Sequence, residues 1–420
     1  MGLLDPHERH RRRDGEADLS LSAYRTIDDL DVKGRRVLVR TDLNVPMRNG
    51  QVTETTRIER QAPTIRELAE KGARVIVLSH FDRPGGKIVP SMSLKPVIPA
   101  LSQALGRDAA FADDCLGPAA ETAIAAMKDG DVLVLENTRF YPGEEKNDPL
   151  FAKALAAHGE IYVNDAFSTA HRAHVSTEGL AHLLPSAAGR SMQAELEHLS
   201  AALENPQRPV MAVVGGAKIS TKIALVENLL AKVDVLVIAG AMANTFLGAE
   251  GHAVGKSLVE RDQFDTARRI VEKARARNVS LMLPMDVVVA TEFAAGAKSR
   301  LSAVNDVTPY EMILDVGPRS IQAFGRRLKS VKTLVWNGPF GAFETPPFDR
   351  GTVAAAKAVA ERTRESGLLS VAGGGDTVAA LAHAGVVDDF TYVSTAGGAF
   401  LEWLEGQTLP GVAALMTKTK

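Results

Sequence analysis

One cysteine, Cys115, stands in 420 residues, so no intrachain disulfide can form and a reducing compartment suits the chain. Aromatic residues make up only 5%. The core must therefore be built from aliphatic side chains and alanine, a composition that suits α/β layers. Net charge is nearly absent: 49 basic and 51 acidic residues leave −2. Nothing global points to nucleic acid or to an anionic membrane, and any anion site has to be a local cluster. No apolar run approaches the roughly 18 residues of a membrane span. The first residues, MGLLDPHERHRRRDGEADLS, lack the apolar stretch of a secretory signal. Asp5, Glu8, Asp14, Glu16 and Asp18 argue against a transit peptide. Residues 1–25 are expected to be a disordered N-terminal extension.

What is present is length and 45% hydrophobic residues, enough for two domains of near-equal size. Short β-branched runs alternate with longer Ala/Leu/Glu/Lys runs, the pattern of parallel βαβ units. Strand-like runs include Arg36–Asn44, Arg74–His80, Val132–Asn137 and Ile161–Ala166. A second series includes Val210–Gly215, Val235–Gly240, Leu281–Val289, Met312–Val316, Thr333–Asn337, Leu368–Gly373 and Phe390–Thr395. Being apolar on both faces, they fit sheets covered by helices on both sides. Between the series, SMQAELEHLSAALENPQRP reads as one helix ended at Asn205-Pro206. The expected fold is α/β: two Rossmann-like domains, 26–190 and 191–400, each a parallel sheet covered by helices, joined by a connecting helix with a hinge.

Ligands of open parallel sheets bind beyond the carboxyl ends of the strands. In the first half those ends read RTDLNVP, SHFDRPGGK, LENTRF and NDAFSTAHRAH. Arg57, His80, Arg83, Arg139 and Arg172 would gather at one sheet edge, where guanidinium forks suit phosphate and carboxylate oxygens. Asp42 and Asn44 could orient a hydroxyl. Any one of these arginines alone would read as a solvated surface residue; the set reads as a site for a small, hydroxylated anion. His171 and His174 lie close together but no third ligand has suitable spacing, so anion contact or hydrogen bonding is expected of them rather than a metal.

In the second half the strand ends offer mainly glycine: VVGGAKISTK, IAGAMA, DVGP, WNGPFG, AGGGDT and STAGGA. Bare amides after a strand let the backbone approach phosphate. Gly215-Gly216-Ala217-Lys218 followed by Lys222 reads as a cradle with two cations. Gly373-Gly374-Gly375-Asp376-Thr377 puts amides at a helix start beside a carboxylate placed to hold Mg²⁺. Glycine in a tight strand–helix turn is the plainer reading of either motif taken alone. GHAVGKS at 251–257 only imitates a P-loop, with too few residues between its glycines. An anion-binding half facing a nucleotide-binding half points to phosphoryl transfer, which needs positioning and charge neutralisation more than covalent chemistry.

RTDLNVP, SHFDRP, LENTRFYPGEEKND, YVNDAFSTAHRAHVS, GGAKISTKI, WNGPFGAFE, AGGGDT and STAGGAFLEWLEG stand in the order found in phosphoglycerate kinases, and the chain resembles that family from about Thr26 to LPGVAAL. The resemblance implies a glycolytic enzyme that moves a phosphoryl group reversibly between 1,3-bisphosphoglycerate and ADP by direct in-line transfer. It implies that Asp42, Leu43, Asn44, Arg57, His80, Phe81, Asp82, Arg83, Arg139 and Arg172 bind 3-phosphoglycerate or its acyl phosphate. Arg57 and Lys218 would attend the transferring group, with Gly373 and Gly374. Lys222, Asn337, Glu344, Gly375 and Thr377 would help hold ATP or ADP, and Asp376 would hold Mg²⁺. It further implies a cytoplasmic monomer, with no nucleic-acid or membrane partner, whose segment 401–420 returns to the first domain.

Three positions depart from the family pattern. Asp82 and Ser168 stand where glycine is usual, and Ala396 replaces the first glycine of STGGGA. Asp82 is expected to turn away from bound phosphate, its charge largely screened. An inactive paralogue serving as a scaffold would be favoured by loss of Arg57, Lys218 or Asp376, and all three are present.

Overall fold

The computed structural model describes residues 24–416; nearly all of the segment expected to be a disordered extension lies outside the described residues. The strands are β1 Arg36–Arg40, β2 Met47–Arg48, β3 Gln51–Val52, β4 Arg74–Leu78, β5 Ala110–Ala112, β6 Val132–Leu135, β7 Ile161–Asn164, β8 Ser186–Ala188, β9 Val210–Val214, β10 Val235–Ile238, β11 Ser280–Met282, β12 Asp286–Ala290, β13 Ser299–Ala303, β14 Met312–Val316, β15 Thr333–Asn337, β16 Leu369–Gly373 and β17 Tyr392–Ser394. They form two six-stranded sheets, ordered β5-β6-β4-β1-β7-β8 and β11-β10-β9-β15-β16-β17. Every pairing within these two sheets is parallel.

Alternation along each strand feeds two core layers. Val37 and Val39 of β1 pack in one apolar cluster and Leu38 between them in another, as period-2 side chains must. Each such fully buried side chain is worth about 1.5–3 kcal/mol. Helix Thr56–Glu70 buries Ile58, Ala62, Ile65, Leu68 and Ala69 on one face, at the spacing of an amphipathic helix. Between the sheets runs helix Arg190–Leu203, whose buried stripe is Met192, Leu196, Leu199 and Leu203. Asp165 Oδ1 accepts hydrogen bonds from Ser191 N and Met192 N at its start, 2.8 and 3.1 Å. Arg190 pairs there with Asp28 and Glu67.

Two strand readings are corrected. The run Leu281–Val289 is not one strand: β11 ends at Met282 and β12 begins at Asp286, because Pro284 lacks the amide a central strand requires. And β12 and β14 belong to neither parallel sheet. They form a separate antiparallel sheet, β13-β12-β14. The amides after β14 are occupied too: Gly317 N donates to Asp286 O (2.8 Å), and Arg319 N and Ser320 N donate to the Asp286 carboxylate. The DVGP turn therefore offers no phosphate cradle.

Candidate active site

The first face is built where β1 stops. Arg40, its last residue, is 1% exposed. Its Nε donates to Ser176 Oγ (2.9 Å), Nη1 to Thr41 O, and Nη2 meets His80 Nδ1 at 3.0 Å. Ser176 in turn donates through both its hydroxyl and its amide to the buried carboxylate of Glu144. A charge this deep costs several kcal/mol unless it is paired and hydrogen-bonded, and the Glu144–Ser176 chain does that for Arg40. Arg40 and Glu144 were missed from sequence.

Arg57 sits in the first turn of its helix. Its Nη1 donates to Asn44 O (2.8 Å) and lies 3.3 Å from Asp42 Oδ2, with 38% of the side chain still exposed. Asp42 Oδ2 also accepts from Ser168 Oγ (2.6 Å), so the serine that departs from the family's glycine braces the carboxylate that braces Arg57. Arg139 is buried. Its Nη1 donates to Asp82 O (2.8 Å), Nε pairs with Glu145 at 3.2 Å, and Nη2 has no hydrogen-bond partner among the described residues. Burial lowers its pKa to about 10, which leaves it charged at neutral pH. Arg172 Nε lies 3.2 Å from His171 Nε2; Arg83 is exposed.

His80 supplies no charge. Burial first, then Arg40, Arg139 and Arg172, push its pKa well below the usual value. Burial and the same guanidiniums take His174 to about 3, and burial and Arg172 lower His171. These rings are neutral hydrogen-bonding groups among arginines. Leu43 and Phe81 are core residues, so only their backbone can meet a ligand: Leu43 N is already bonded to Ser79 Oγ and Phe81 O to Asn137 Nδ2. Asp82 adopts φ +53, a left-handed conformation that aspartate tolerates better than most residues and that suits the family's glycine. Its exposed carboxylate accepts no hydrogen bond from the described residues, while its amide donates to Asn44 Oδ1 (3.1 Å).

The second face lies beyond β9, β15 and β16. Gly215 and Gly338 pack back to back: a Cβ on Gly215 would fall 2.1 Å from Pro339 O, and one on Gly338 2.2 Å from Gly215 O. Lys218 is exposed with no side-chain partner among the described residues. Lys222 Nζ donates to Asn337 Oδ1, and Asn337 Nδ2 to Gly373 O (2.8 Å). Burial brings the Lys222 pKa down to about 8, partly opposed by Asp376. Gly338 N donates to Thr377 Oγ1 (2.7 Å). Asn337 and Thr377 are thus buried supports of the cradle. Asp376 is exposed in the first turn of helix Gly375–Ala384, its carboxylate without a hydrogen bond or salt bridge among the described residues.

Beside the cradle a cleft of about 560 Å³ is lined in part by Gly216, Ala217, Glu344 and Asp376. Leu258, Phe293, Leu314 and Phe343 supply apolar walls. These wall residues were not foreseen, since they come from segments far apart in sequence. Glycine and carboxylate lining combined with apolar walls suits a nucleotide. Chemically, one face can grip a small polyanion and the other a nucleotide's phosphates and base.

A family model described as "Phosphoglycerate kinase" matches residues 27–407. The chain is 64% identical over 399 residues to a protein named phosphoglycerate kinase from Methylobacterium radiotolerans, covering 95% of this chain and 100% of that one. It is 63% identical over 393 residues to the protein of that name from Granulibacter bethesdensis, covering 94% and 99%. The solved structure of phosphoglycerate kinase from Coxiella burnetii superposes with a TM-score of 0.88 at 45% identity, covering 93% of this chain and 98% of that one.

Proposed function

Because the chain belongs to the phosphoglycerate kinase family, we propose that its two faces hold the two substrates of that family's reaction. The reaction is reversible phosphoryl transfer between 1,3-bisphosphoglycerate and ADP, giving 3-phosphoglycerate and ATP. Residues 26–190 are assigned the 3-phosphoglycerate site and 191–400 the nucleotide site, with 401–420 returning to the first unit. Two contacts support that return: Gly411 N donates to Ala170 O (2.8 Å), and Tyr24 and Met416 form an antiparallel bridge. The observation that carries the assignment is the set of cations at one sheet's carboxyl edge, including the buried Nη2 of Arg139, which has no hydrogen-bond partner among the described residues.

In this reading Arg40, Arg139 and Arg172 bind the acid's phosphate and carboxylate, with His80 and His174 as neutral donors. Asp42 and Asn44 orient its hydroxyl and hold Arg57. Arg57 and Lys218 neutralise the group in transit, and the Gly373–Gly375 amides receive the nucleotide's phosphates. Lys222 holds a phosphate from below. Asp376 fits Mg²⁺, which takes one or two carboxylates and completes its shell with phosphate oxygens and water. When bound, Mg²⁺ would offset phosphate charge. The substrates' own oxygens are the nucleophile and leaving group, so no covalent enzyme intermediate is formed. Closure about a hinge near helix Arg190–Leu203 would bring the faces together and exclude water. A cytoplasmic monomer completes the reading. A coupled assay with 3-phosphoglycerate and ATP tests it. ADP release should require both the acid and Mg²⁺; ATP turnover indifferent to the acid would refute it.

Lys222 makes the nucleotide step pH-dependent. A lysine with its pKa near 8 loses its charge as pH rises through that value. The kcat/KM for ATP should fall on the alkaline side of about 8, while kcat stays flat, because bound phosphate holds the proton on the amine. A flat kcat/KM profile up to pH 9.5 would remove Lys222 from phosphate binding.

Asp82 acts through its backbone. Replacing Asp82 with glycine keeps the amide bond to Asn44 and the carbonyl bond to Arg139. It should change the 3-phosphoglycerate KM by only a few-fold and leave the ATP KM alone. A gain beyond tenfold that fades at high salt would mean that the carboxylate faces the site.

A further inference from the structure

The family reading assigns Arg57 but leaves unexplained the arginine one helical turn later. Arg60 Nη1 donates to Val393 O (3.2 Å) and to Thr395 Oγ1 (3.1 Å). Both acceptors lie at the carboxyl end of β17, in the second sheet. Among the described residues, no other side chain from 24–189 hydrogen-bonds the second sheet or the loops at its strand ends. The acceptors are well placed to report on the nucleotide face. Ser394 lies opposite Gly373 in the parallel register of β17 and β16, and Gly374 and Gly375 follow directly. Ser394 Oγ is itself anchored, donating to Glu195 Oε1 (3.0 Å) on the connecting helix. Arg57, Arg60, Glu195, Thr395 and Ala396 all line one small cavity between the sheets.

We propose that Arg60 is a positioning residue for phosphoryl transfer: a strut that sets the placement of Arg57 relative to the Gly373–Gly375 amides. This rests on the functional reading above. The path is short and stiff. Arg57 and Arg60 share the first turns of one helix, ahead of Pro63, whose inner face is packed in the core through Ile58, Ala62 and Ile65, so a displacement of Arg60 is passed to Arg57 over three residues. From Arg60 the path crosses one nitrogen to the end of β17, and one register pair then leads to Gly373. Neither substrate needs this strut to bind, since each face is complete on its own sheet. Transfer needs it, because the two faces must meet at a fixed separation, and a displacement of about 1 Å can cost on the order of a hundredfold in rate.

Steady-state kinetics on Arg60→Ala, Arg60→Lys, Thr395→Val and the Arg60→Ala/Thr395→Val pair, beside the unaltered enzyme and with melting temperatures for all, tests the proposal. Arg60→Ala should lower kcat by roughly ten- to hundredfold, with both KM values within about twofold and its melting temperature close to that of the unaltered enzyme. Arg60→Lys should recover most of the rate, because both hydrogen bonds come from one nitrogen and an ammonium can reach two acceptors. Thr395→Val should cost less than Arg60→Ala, and the double variant should be no slower than Arg60→Ala alone. An unchanged kcat in Arg60→Ala would overturn the proposal. So would a loss that lysine does not restore, or one that appears as raised KM or lowered melting temperature with kcat intact. If the unaltered enzyme shows no 3-phosphoglycerate-dependent turnover, the functional reading fails and the proposal falls with it.

Discussion

Replacing Arg57 or Lys218 with alanine is expected to lower kcat by on the order of a hundredfold or more, with both KM values within a few-fold. The two residues approach the problem differently. Arg57 is preorganised: Asn44 O and Asp42 Oδ2 fix its guanidinium, Ser168 fixes Asp42, and more than a third of the side chain remains open to a ligand. Lys218 has no such holders among the described residues and stands exposed at the end of the Gly215–Ala217 turn, which on the proposed function lets it follow the group from one substrate to the other. On the proposed function both act where negative charge is greatest in the transition state rather than where either substrate rests. The loss should therefore fall on the chemical step. Varying each substrate at saturation of the other separates the constants. A variant with near-normal kcat would end the role given to its residue.

Gly374→Ala should be nearly as damaging, and on the nucleotide side alone. Gly374 has φ +96, and a Cβ there would lie 2.5 Å from Asn337 Nδ2. With ψ 143 beside it, this is close to the extended positive-φ region that is essentially glycine's alone and costs an L-residue on the order of 1–3 kcal/mol. The clash strikes the side chain that joins Lys222 Nζ to Gly373 O, so one methyl group disturbs both the amides and the buried cation. We expect kcat/KM for ATP to fall on the order of a hundredfold, with 3-phosphoglycerate binding, measured by calorimetry without nucleotide, unchanged. Gly375→Ala is the control. Nothing lies within 4 Å of a Cβ there, the residue is helical, and alanine favours the helix. Its effect should stay within a few-fold. Equal damage from both substitutions would mean that loop flexibility, not this geometry, is what the glycines supply.

Much of this was readable beforehand because parallel sheets put function at strand ends, and strand ends are visible in sequence. Arg139, Arg172, Lys218, Lys222 and Asp376 become candidates that way, with Arg57 at a helix start beside them, and the structure places each beyond the strands as expected. Arg40 is not among them although it opens RTDLNVP, because a strand run drawn through to Asn44 leaves that arginine inside the strand. In the fold β1 ends at Arg40 itself, which is buried there. Glu144 was hidden because its value depends on Ser176, a long-range partner. The neutral state of His80 and His174 depends on burial among arginines, which no local pattern states. The antiparallel pairing of β12 with β14 was also illegible: a β-branched run announces a strand but not its partner's direction. The apolar cleft walls, Leu258 to Phe343, meet only in the folded chain.

The most direct test of the central claim is the stereochemistry at the transferred phosphorus. If the acid on one face attacks the nucleotide on the other with no enzyme-bound intermediate, ATP made chiral at its γ-phosphorus should yield 1,3-bisphosphoglycerate with inverted configuration. Retention would mean two displacements through a phosphorylated protein group, and would contradict direct transfer between the two sheets.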